Sequence, residues 1–275
     1  MKALRKGSRG EDVLRWQEFL RGQRLYWGVC DKVFGRQTEK ATKEFQRKSS
    51  LYPIDGIVGN DTYAAAMKEG FSVVASDSTA QRGPNWPPPP KGIRKVVPAE
   101  RMELFGKMLY RPAPVSGNPE AIEITNDWVK QNIVKARIPE LKQVRGVFHG
   151  GVLYGRGAED VWCHRLFVEP LRATFAEWGK EGLVRDILTF DGLWVPRYIR
   201  GSRSVLSNHS YGTAIDINAA WNGFRCRPAL VGQRGCVREL VPIANKNGLW
   251  WLGHTMNDGM HFELSYEAAV KKDPG

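Results

Sequence analysis

Two short segments of this sequence carry histidines and carboxylates at spacings that could bind a metal ion. In SNHSYGTAIDIN (207–218), His209 stands seven residues before Asp216, and in DGMHFEL (258–264), Asp258 stands three residues before His261. Imidazole and carboxylate groups are good zinc ligands, and a catalytic zinc keeps one coordination position for water. A single His near an Asp is usually an ordinary loop pair, so the two segments have to be considered jointly.

The residue pattern of both segments predicts short strands. In AIDIN, Asp216 falls on the opposite face from Ile215 and Ile217, because side chains alternate along a strand. In MHFEL, His261 and Glu263 share one face, and the three apolar residues share the other. A strand therefore allows a metal-ligating face to lie opposite an anchored apolar face.

Turn sequences accompany these strands. Gly212 and the β-rich residues after it disfavour a helix, so we expect a turn to bring His209 back over the strand end. The Asn-Asp-Gly turn sequence holds Asp258 at the start of the second strand. His209, Asp216 and His261 would then be three ligands, and Asp258 would exchange protons with water and the leaving amine. This role requires burial to raise the pKa of Asp258 above its usual value of about 4.

The remaining polar side chains of this region are expected to play supporting roles. Glu263 is predicted to orient His261 or a neighbouring loop. The other histidines, His149, His164 and His254, are predicted to be structural or exposed rather than ligands.

The joint pattern S-x-H-x-x-G-x-A-x-D (207–216) and D-x-x-H-F-E (258–263) resembles the zinc D-Ala-D-Ala carboxypeptidases and L-alanyl-D-glutamate endopeptidases of bacteria and phages. The resemblance covers residues 185–266 approximately. The resemblance implies that His209, Asp216 and His261 bind zinc and that Asp258 is the base. Some members of this family have Glu at the base position, where this chain has Asp.

The family also uses an upstream arginine to stabilise the developing oxyanion. The segment VPRYIRGSRS (195–204) contains Arg197, Arg200 and Arg203, but it lacks the G-Y-R-S motif that is usual in the family. Arg197 and Arg200 are the leading candidates, and at least one of the three arginines fits a solvated basic loop that faces an anionic polymer.

An internal repeat marks the N-terminal region. Residues 31–41 and 55–65 both read D-x-x-(apolar)-G-x-x-T-x-x-A. The pattern predicts a turn at the Asp, a bend at the Gly and a Thr that caps a new helix. Apolar spacing predicts helices over 11–21 and 38–48, and a third helix from residue 62.

The segments LRKGSRGEDVLRWQEFL, DKVFGRQTEKATKEFQ and IDGIVGNDTYAAA resemble, in order, the three-helix peptidoglycan-binding domain of cell-wall hydrolases. The resemblance implies a wall-binding groove near the two D-x-x-x-G turns. The candidate wall-binding residues are therefore Asp31, Gly35, Asp55 and Gly59.

The chain is predicted to contain two domains: an all-α three-helix bundle, then an α+β zinc peptidase with a small antiparallel sheet. We place the domains at 1–71 and 101–275, with a Pro-rich spacer at 72–100. In the second domain, helices are predicted at 120–135 and 160–180, with a kink or break at Pro170. Strands are predicted at 187–190, 193–195, 214–217 and 260–264, so helices precede strands.

Composition limits the partners and the location. The formal charge of +12 favours an anionic partner such as peptidoglycan, a wall polymer or a membrane surface, and the chain carries no recognised nucleic-acid motif. No apolar run is long enough to span a membrane, and the N-terminus has no apolar signal segment. We therefore expect synthesis in a host cytoplasm as a monomer, with release through a holin-type membrane hole.

Four cysteines are present, at positions 30, 163, 226 and 236, and they form no C-x-x-C pair. Cys226 and Cys236 could close a small disulfide loop, and the alternative is that all four are reduced.

Taken with both resemblances, these features predict a modular phage endolysin that cuts a stem-peptide bond of peptidoglycan, most simply L-Ala–D-Glu. The alternatives are a D-Ala-D-Ala carboxypeptidase and, from another class, a non-catalytic wall-binding protein. The intact set of metal and base residues argues against the non-catalytic alternative.

Overall fold

The structure is a computed structural model, and it describes residues 2–71, 85–144, 146–149, 152–154, 159–255 and 258–271. For 146–149 and 152–154 the description extends to the backbone alone. The prediction for His149 therefore concerns a side chain outside the described part. The first half of the predicted spacer also lies outside the described residues. No described helix has the length and apolar character needed to cross a membrane.

The N-terminal domain consists of helices α1 (Glu11–Gly22), α2 (Arg36–Lys48) and α3 (Asn60–Lys68). They pack around Trp16, whose ring makes edge contacts with Phe45 and Tyr63 at centroid distances of 5.7 and 6.0 Å. Trp16 Nε1 also donates to Thr42 Oγ1 at 2.9 Å, which satisfies the polar atom of this buried ring. The predicted three-helix bundle is confirmed.

The internal repeat is a duplicated hydrogen-bond network around a buried glutamine. Gln17 Nε2 donates to Asp31 Oδ1 at 2.9 Å and to Thr38 Oγ1 at 3.1 Å, and its Oε1 accepts from Lys32 N. The second repeat has the same arrangement, formed by Gln46, Asp55, Gly56 and Thr62. Each network fixes a D-x-x-x-G turn to the helix that precedes it.

The prediction that the threonines cap helices is wrong. Helices α2 and α3 follow Gly35 and Gly59, and neither has a side-chain cap. Thr38 and Thr62 are the third residues of these helices, and their hydroxyls accept from the buried glutamines instead. A sequence pattern cannot distinguish a capping residue from the third residue of a helix when both lie near a turn.

The C-terminal domain is built on a six-stranded sheet among the described residues, whose strands lie side by side in the order Val152–Tyr154, Gly146–His149, Thr189–Gly192, Ala214–Ile217, His261–Leu264 and Leu249–Trp251. Its strands are β4 (Gly146–His149), β5 (Val152–Tyr154), β7 (Thr189–Gly192), β8 (Ala214–Ile217), β9 (Leu249–Trp251) and β10 (His261–Leu264). All neighbours pair antiparallel except β4 and β7. Two ribbons accompany the sheet: β1 (Tyr110–Pro112) with β2 (Ile122–Ile124), and β3 (Ile133–Arg137) with β6 (Asp160–His164).

Short helices surround this sheet: α4 (Arg101–Phe105), α5 (Trp128–Asn132), α6 (Val168–Lys180), α7 (Ala219–Asn222), α8 (Val241–Lys246) and α9 (Tyr266–Val270). Helix α6 covers one face, where Trp178 meets Phe262 of β10 at a centroid distance of 6.2 Å. The apolar faces predicted for β8 and β10 are therefore the faces that contact the core. The two-domain α and α+β layout is confirmed.

Several predicted boundaries are wrong. The helix predicted at 120–135 is wrong over most of its length, because only Trp128–Asn132 is helical and strands β2 and β3 flank it. The predicted helix at 160–180 begins as β6, passes through a 3-10 turn (Arg165–Phe167) and becomes α-helical at Val168. Pro170 does not kink α6, because it lies in the first turn, where backbone N–H groups have no partner within the helix. The strand predicted at 187–190 lies two residues later, and 193–195 is not a strand.

Residues 85–100, within the predicted spacer, pack against the C-terminal domain. Val96 is part of its hydrophobic core, and Lys95 forms a bridge with Ser265. Arg238 donates to the carbonyl of Trp86, and His254 Nδ1 lies 3.1 Å from the carbonyl of Pro87. Apolar and backbone contacts therefore hold this segment against the C-terminal domain before residue 101, where the sequence predicts that the domain starts.

Candidate metal centre

The sheet register brings Asp216 and His261 together. Strands β8 and β10 run antiparallel, and His261 is paired directly with Asp216. Directly opposed residues of an antiparallel pair project from the same face of the sheet. Both side chains therefore point into the same cleft, although the two residues are 45 positions apart in the sequence.

A short turn supplies the third residue. His209 lies in a 3-10 turn (Asn208–Tyr211) that ends at Gly212, whose φ is +67°. A Cβ at Gly212 would lie 2.9 Å from the backbone nitrogen of His164, so both the backbone conformation and the close packing require glycine there. The turn folds His209 back over the end of β8, as its sequence predicts.

One ligand atom from each of His209, Asp216 and His261 lies within 4.8 Å of the other two. Asp216 Oδ2 is 3.2 Å from His209 Nε2, and Asp216 Oδ1 is 3.1 Å from His261 Nδ1. The two ring nitrogens are 3.1 Å apart. All three side chains are buried.

The far nitrogen of each imidazole is held by an acceptor. His209 Nδ1 lies 2.7 Å from the carbonyl of Leu193, and His261 Nε2 lies 3.0 Å from Glu263 Oε2. Because these oxygens only accept, the protons belong on the far nitrogens, and the near nitrogens keep free lone pairs. The donor set of two imidazoles and one carboxylate therefore fits a zinc-type ion.

The electrostatics of the cluster also favour a cation. Burial alone would raise the pKa of Asp216, but His209 and His261 hold it below its usual value. Burial opposes a charge on His261, but the neighbouring carboxylates of Asp216 and Glu263 raise its pKa. The pocket thus stabilises positive charge between these side chains, which is the charge that a divalent metal would supply.

Asp258 lies beside the cluster without joining it. Burial raises its pKa to about 7, with Asp216 adding to the rise and His261 opposing it. Its Oδ1 atom is buried, and no donor among the described residues reaches it. A carboxyl group with a pKa near neutrality and an unused oxygen is suited to gain and lose a proton.

The three upstream arginines occupy different environments. Arg197 and Arg200 both line the cleft that contains the cluster, whereas Arg203 is exposed and does not. Arg197 is partly buried, its Nη1 donates to the carbonyl of Tyr198 at 3.1 Å, and burial lowers its pKa while Asp216 opposes that effect. Arg200 is exposed at the rim.

Glu263 connects the cluster to Asn208, a residue that the sequence pattern alone does not single out. Its Oε2 atom accepts from Asn208 Nδ2 at 2.6 Å as well as facing His261. Asn208 lies immediately before His209, and this position within the S-x-H motif is the sequence feature that could have indicated its role. Arg101 also lies in this wall of the cleft, where it donates to the carbonyl of Leu206 and is attracted by Glu263.

The cleft has a volume of about 240 Å³. Apolar side chains of Val96, Phe224, Leu252 and Met260 form part of its wall. Four basic residues also line it: Lys95, Arg101, Arg197 and Arg200. This combination suits a substrate that carries carboxylates and small apolar groups.

The other described histidines make structural contacts. His164 is buried, with Nε2 3.3 Å from the carbonyl of Phe105 and Nδ1 accepting from Leu166 N. His254 is held between Asn245 and the carbonyl of Pro87. None of these contacts involves the cluster of His209, Asp216 and His261.

Comparisons with known proteins match both parts of the chain. Residues 200–264 match the family described as D-alanyl-D-alanine carboxypeptidase, and residues 9–66 match the family described as peptidoglycan binding domain. Two Bacillus cereus proteins named spore cortex-lytic enzyme are 35% identical to this chain over 82 residues. The alignment covers 30% of this chain and 30% of each relative, so the chain spans under a third of their length.

One solved structure, titled the crystal structure of SleB N-terminal domain, is 37% identical. The match covers 25% of this chain and 92% of that structure, with a TM-score of 0.24.

Proposed function

We propose that this protein is a peptidoglycan hydrolase whose C-terminal domain cleaves a stem-peptide bond at a zinc centre. The observation that carries the proposal is the buried cluster of His209, Asp216 and His261 beside Asp258, whose buried Oδ1 atom has no hydrogen-bond partner among the described residues. The segment with these residues matches a carboxypeptidase family, and the N-terminal domain matches a peptidoglycan-binding family.

In this proposal, His209, Asp216 and His261 hold the zinc ion. When bound, zinc supplies a Lewis acid that acidifies water and polarises a carbonyl group. Asp258 accepts a proton from the attacking water and later donates it to the leaving amine. Its raised pKa supports both directions of transfer, since a group that titrates near neutral pH can both take up and release a proton there.

Arg197 is the proposed partner of the developing oxyanion. It is partly buried and electrostatically coupled to Asp216 and Asp258, so its charge lies on the side of the cleft where the reaction takes place. A buried cation stabilises such charge better than one surrounded by water. Arg200, at the rim, remains the alternative, and it would also suit a substrate carboxylate.

The bond that we propose is L-Ala–D-Glu. The D-Ala-D-Ala bond is the second candidate, and the description of the matched family favours it. Both substrates place a carboxylate near the scissile bond, so the basic lining of the cleft supports either one. A phage endolysin released through a holin-type hole, acting as a monomer, remains a prediction from the sequence.

Wall binding by the N-terminal domain is part of the same proposal. The carboxylates of Asp31 and Asp55 already accept internal hydrogen bonds, although both residues are exposed. Together with Gly35 and Gly59, they remain predicted wall contacts. Holding the enzyme on the wall would raise the local concentration of substrate at the cleft.

Mass spectrometry of muropeptides after digestion of purified peptidoglycan tests the proposal. New N-terminal D-Glu is the expected product, whereas loss of terminal D-Ala would show the second candidate. Cleavage that a chelator does not reduce would refute the metal mechanism.

Asp258→Ala separates catalysis from binding. It should abolish cleavage and leave sedimentation with insoluble peptidoglycan unchanged. If the wild-type protein binds the wall but releases no product with zinc present, the non-catalytic alternative holds.

A further inference from the structure

Two cysteines from the two domains lie against each other. Cys30 precedes the first D-x-x-x-G turn of the N-terminal domain, and Cys226 lies in the loop after α7, 196 residues later. Their sulfur atoms are 2.7 Å apart and share a hydrogen bond. A disulfide requires its two sulfurs to be neighbours, and these two are in direct contact.

The contact belongs to a packed interface. Cys30 is 8% exposed and Cys226 is 1% exposed, and Cys226 is part of the hydrophobic core cluster of the N-terminal domain. Trp221 packs on the end of α1, where a Cβ at Gly22 would lie 2.6 Å from its ring. Arg227 also pairs with the partly buried Glu18 at 3.5 Å. These neighbours hold the two thiols in position.

The surroundings of Cys226 favour its reactive form. The hydrogen bond with Cys30 lowers the pKa of Cys226 to about 7, and the guanidinium of Arg21 also lowers it. Thiolate is the form that attacks a disulfide. The same hydrogen bond and burial raise the pKa of Cys30, so Cys226 is the thiol of the pair that reacts first. Burial raises the pKa of Cys163 to about 12 and that of Cys236 to about 11.

We propose that Cys30 and Cys226 are a thiol-oxidation site that forms a disulfide between the two domains. The Cys226–Cys236 pair suggested by sequence spacing is not formed in the structure, in which all four thiols are free. Instead, Cys236 Sγ accepts from Arg238 N. The pairing joins the N-terminal domain to the loop that follows the strand of Asp216, so both domains would move as one body.

The reaction requires a disulfide oxidant, for which oxidised glutathione is the probe. When the interface opens, Cys226 thiolate attacks one glutathione sulfur and expels a glutathione thiolate. In the mixed disulfide Cys30 no longer has its hydrogen bond with the Cys226 thiol, which is the main cause of its raised pKa. Cys30 then loses its proton to solvent, attacks the sulfur of Cys226 and expels the second glutathione thiolate. Two cysteine thiols are oxidised, one glutathione disulfide is reduced, and the two cysteine protons end on the released glutathiones.

Tryptic mapping without reduction identifies the pairing directly. The full chain is equilibrated with oxidised glutathione, the remaining thiols are alkylated, and the digest is analysed by mass spectrometry. Cys30 lies in LYWGVCDK (25–32), Cys226 in CRPALVGQR (226–234) and Cys236 in GCVR (235–238). We expect LYWGVCDK linked to CRPALVGQR. A link between CRPALVGQR and GCVR, or four alkylated cysteines, would overturn the proposal.

Stability provides a second measurement with a matched control. A disulfide that closes so long a loop should raise the melting temperature by about 5 °C or more over the reduced protein. Cys236→Ser should keep this redox response, and Cys30→Ser should lose it. A redox response that survives Cys30→Ser would contradict the pairing. Neither readout depends on activity, so the result is independent of the proposed function.

Discussion

Replacing Glu263 by glutamine should weaken zinc binding about tenfold while preserving the fold. Glu263 is 4% exposed, and its carboxylate faces His261 Nε2 at 3.0 Å and accepts from Asn208 at 2.6 Å. Glutamine has nearly the same volume, so no cavity forms. It replaces a charged acceptor by a neutral one, and neutral hydrogen bonds are about half as strong as charge-assisted ones.

The general energies of charged and neutral hydrogen bonds set the size of this effect. Hydrogen bonds to charged groups contribute about 1.5–3 kcal/mol and neutral ones about 0.5–1.5 kcal/mol. The difference of roughly 1–1.5 kcal/mol corresponds to about tenfold in a dissociation constant. Glu263→Ala leaves both the His261 and Asn208 donors buried without this acceptor, so its loss should approach the hundredfold seen when partners of metal ligands are removed.

The assay is competition for zinc between the metal-free protein and a chromophoric chelator, followed by hydrolysis of a soluble muropeptide at saturating zinc. Glu123→Gln is the control, because it removes the same charge from an exposed pair with Arg111. The control should bind zinc as the wild type does. A dissociation constant for Glu263→Gln within twofold of the wild type would show that this carboxylate does not orient the ligand.

Three further predictions follow from the same structure. Asp258→Asn should reduce turnover about 10²- to 10⁴-fold with zinc content unchanged. The wild-type rate should rise with pH at or below about 7, because burial raises the pKa of Asp258 and a bound cation lowers it. A flat pH profile from 5 to 8 would argue against this base. Arg197→Gln should reduce kcat about 10²- to 10³-fold. Arg203→Gln, on the exposed loop, should leave kcat unchanged in the same muropeptide assay. Equal losses of kcat in both variants would refute Arg197 as the partner of the oxyanion. Burial lowers the pKa of His164 from 6.5 to about 4, so its contribution to the free energy of unfolding, about 3 kcal/mol, is complete above pH 6.5 and is lost as the pH falls towards 4. Urea unfolding of the wild type and His164→Gln across this range should show a smaller pH dependence in the variant.

The sequence by itself determined the features that depend on local periodicity. The alternation in AIDIN and MHFEL predicts strands with one polar and one apolar face, and the structure contains both as β8 and β10. The apolar spacing of residues 11–21 and 38–48 predicts two helices that the structure also contains. Gly212 marks a turn because few other residues adopt a positive φ. Such signals are carried by neighbouring residues and do not require knowledge of distant ones.

Only the tertiary structure decided which distant segments meet. The register of β8 against β10 places His261 opposite Asp216, and a shift of one residue would have turned His261 away from the cleft. The contact between Cys30 and Cys226, and the burial of Val96, likewise join parts of the chain that no local pattern connects. Packing decides these contacts, because their energy comes from burying surfaces against one another after each segment has already adopted its local structure.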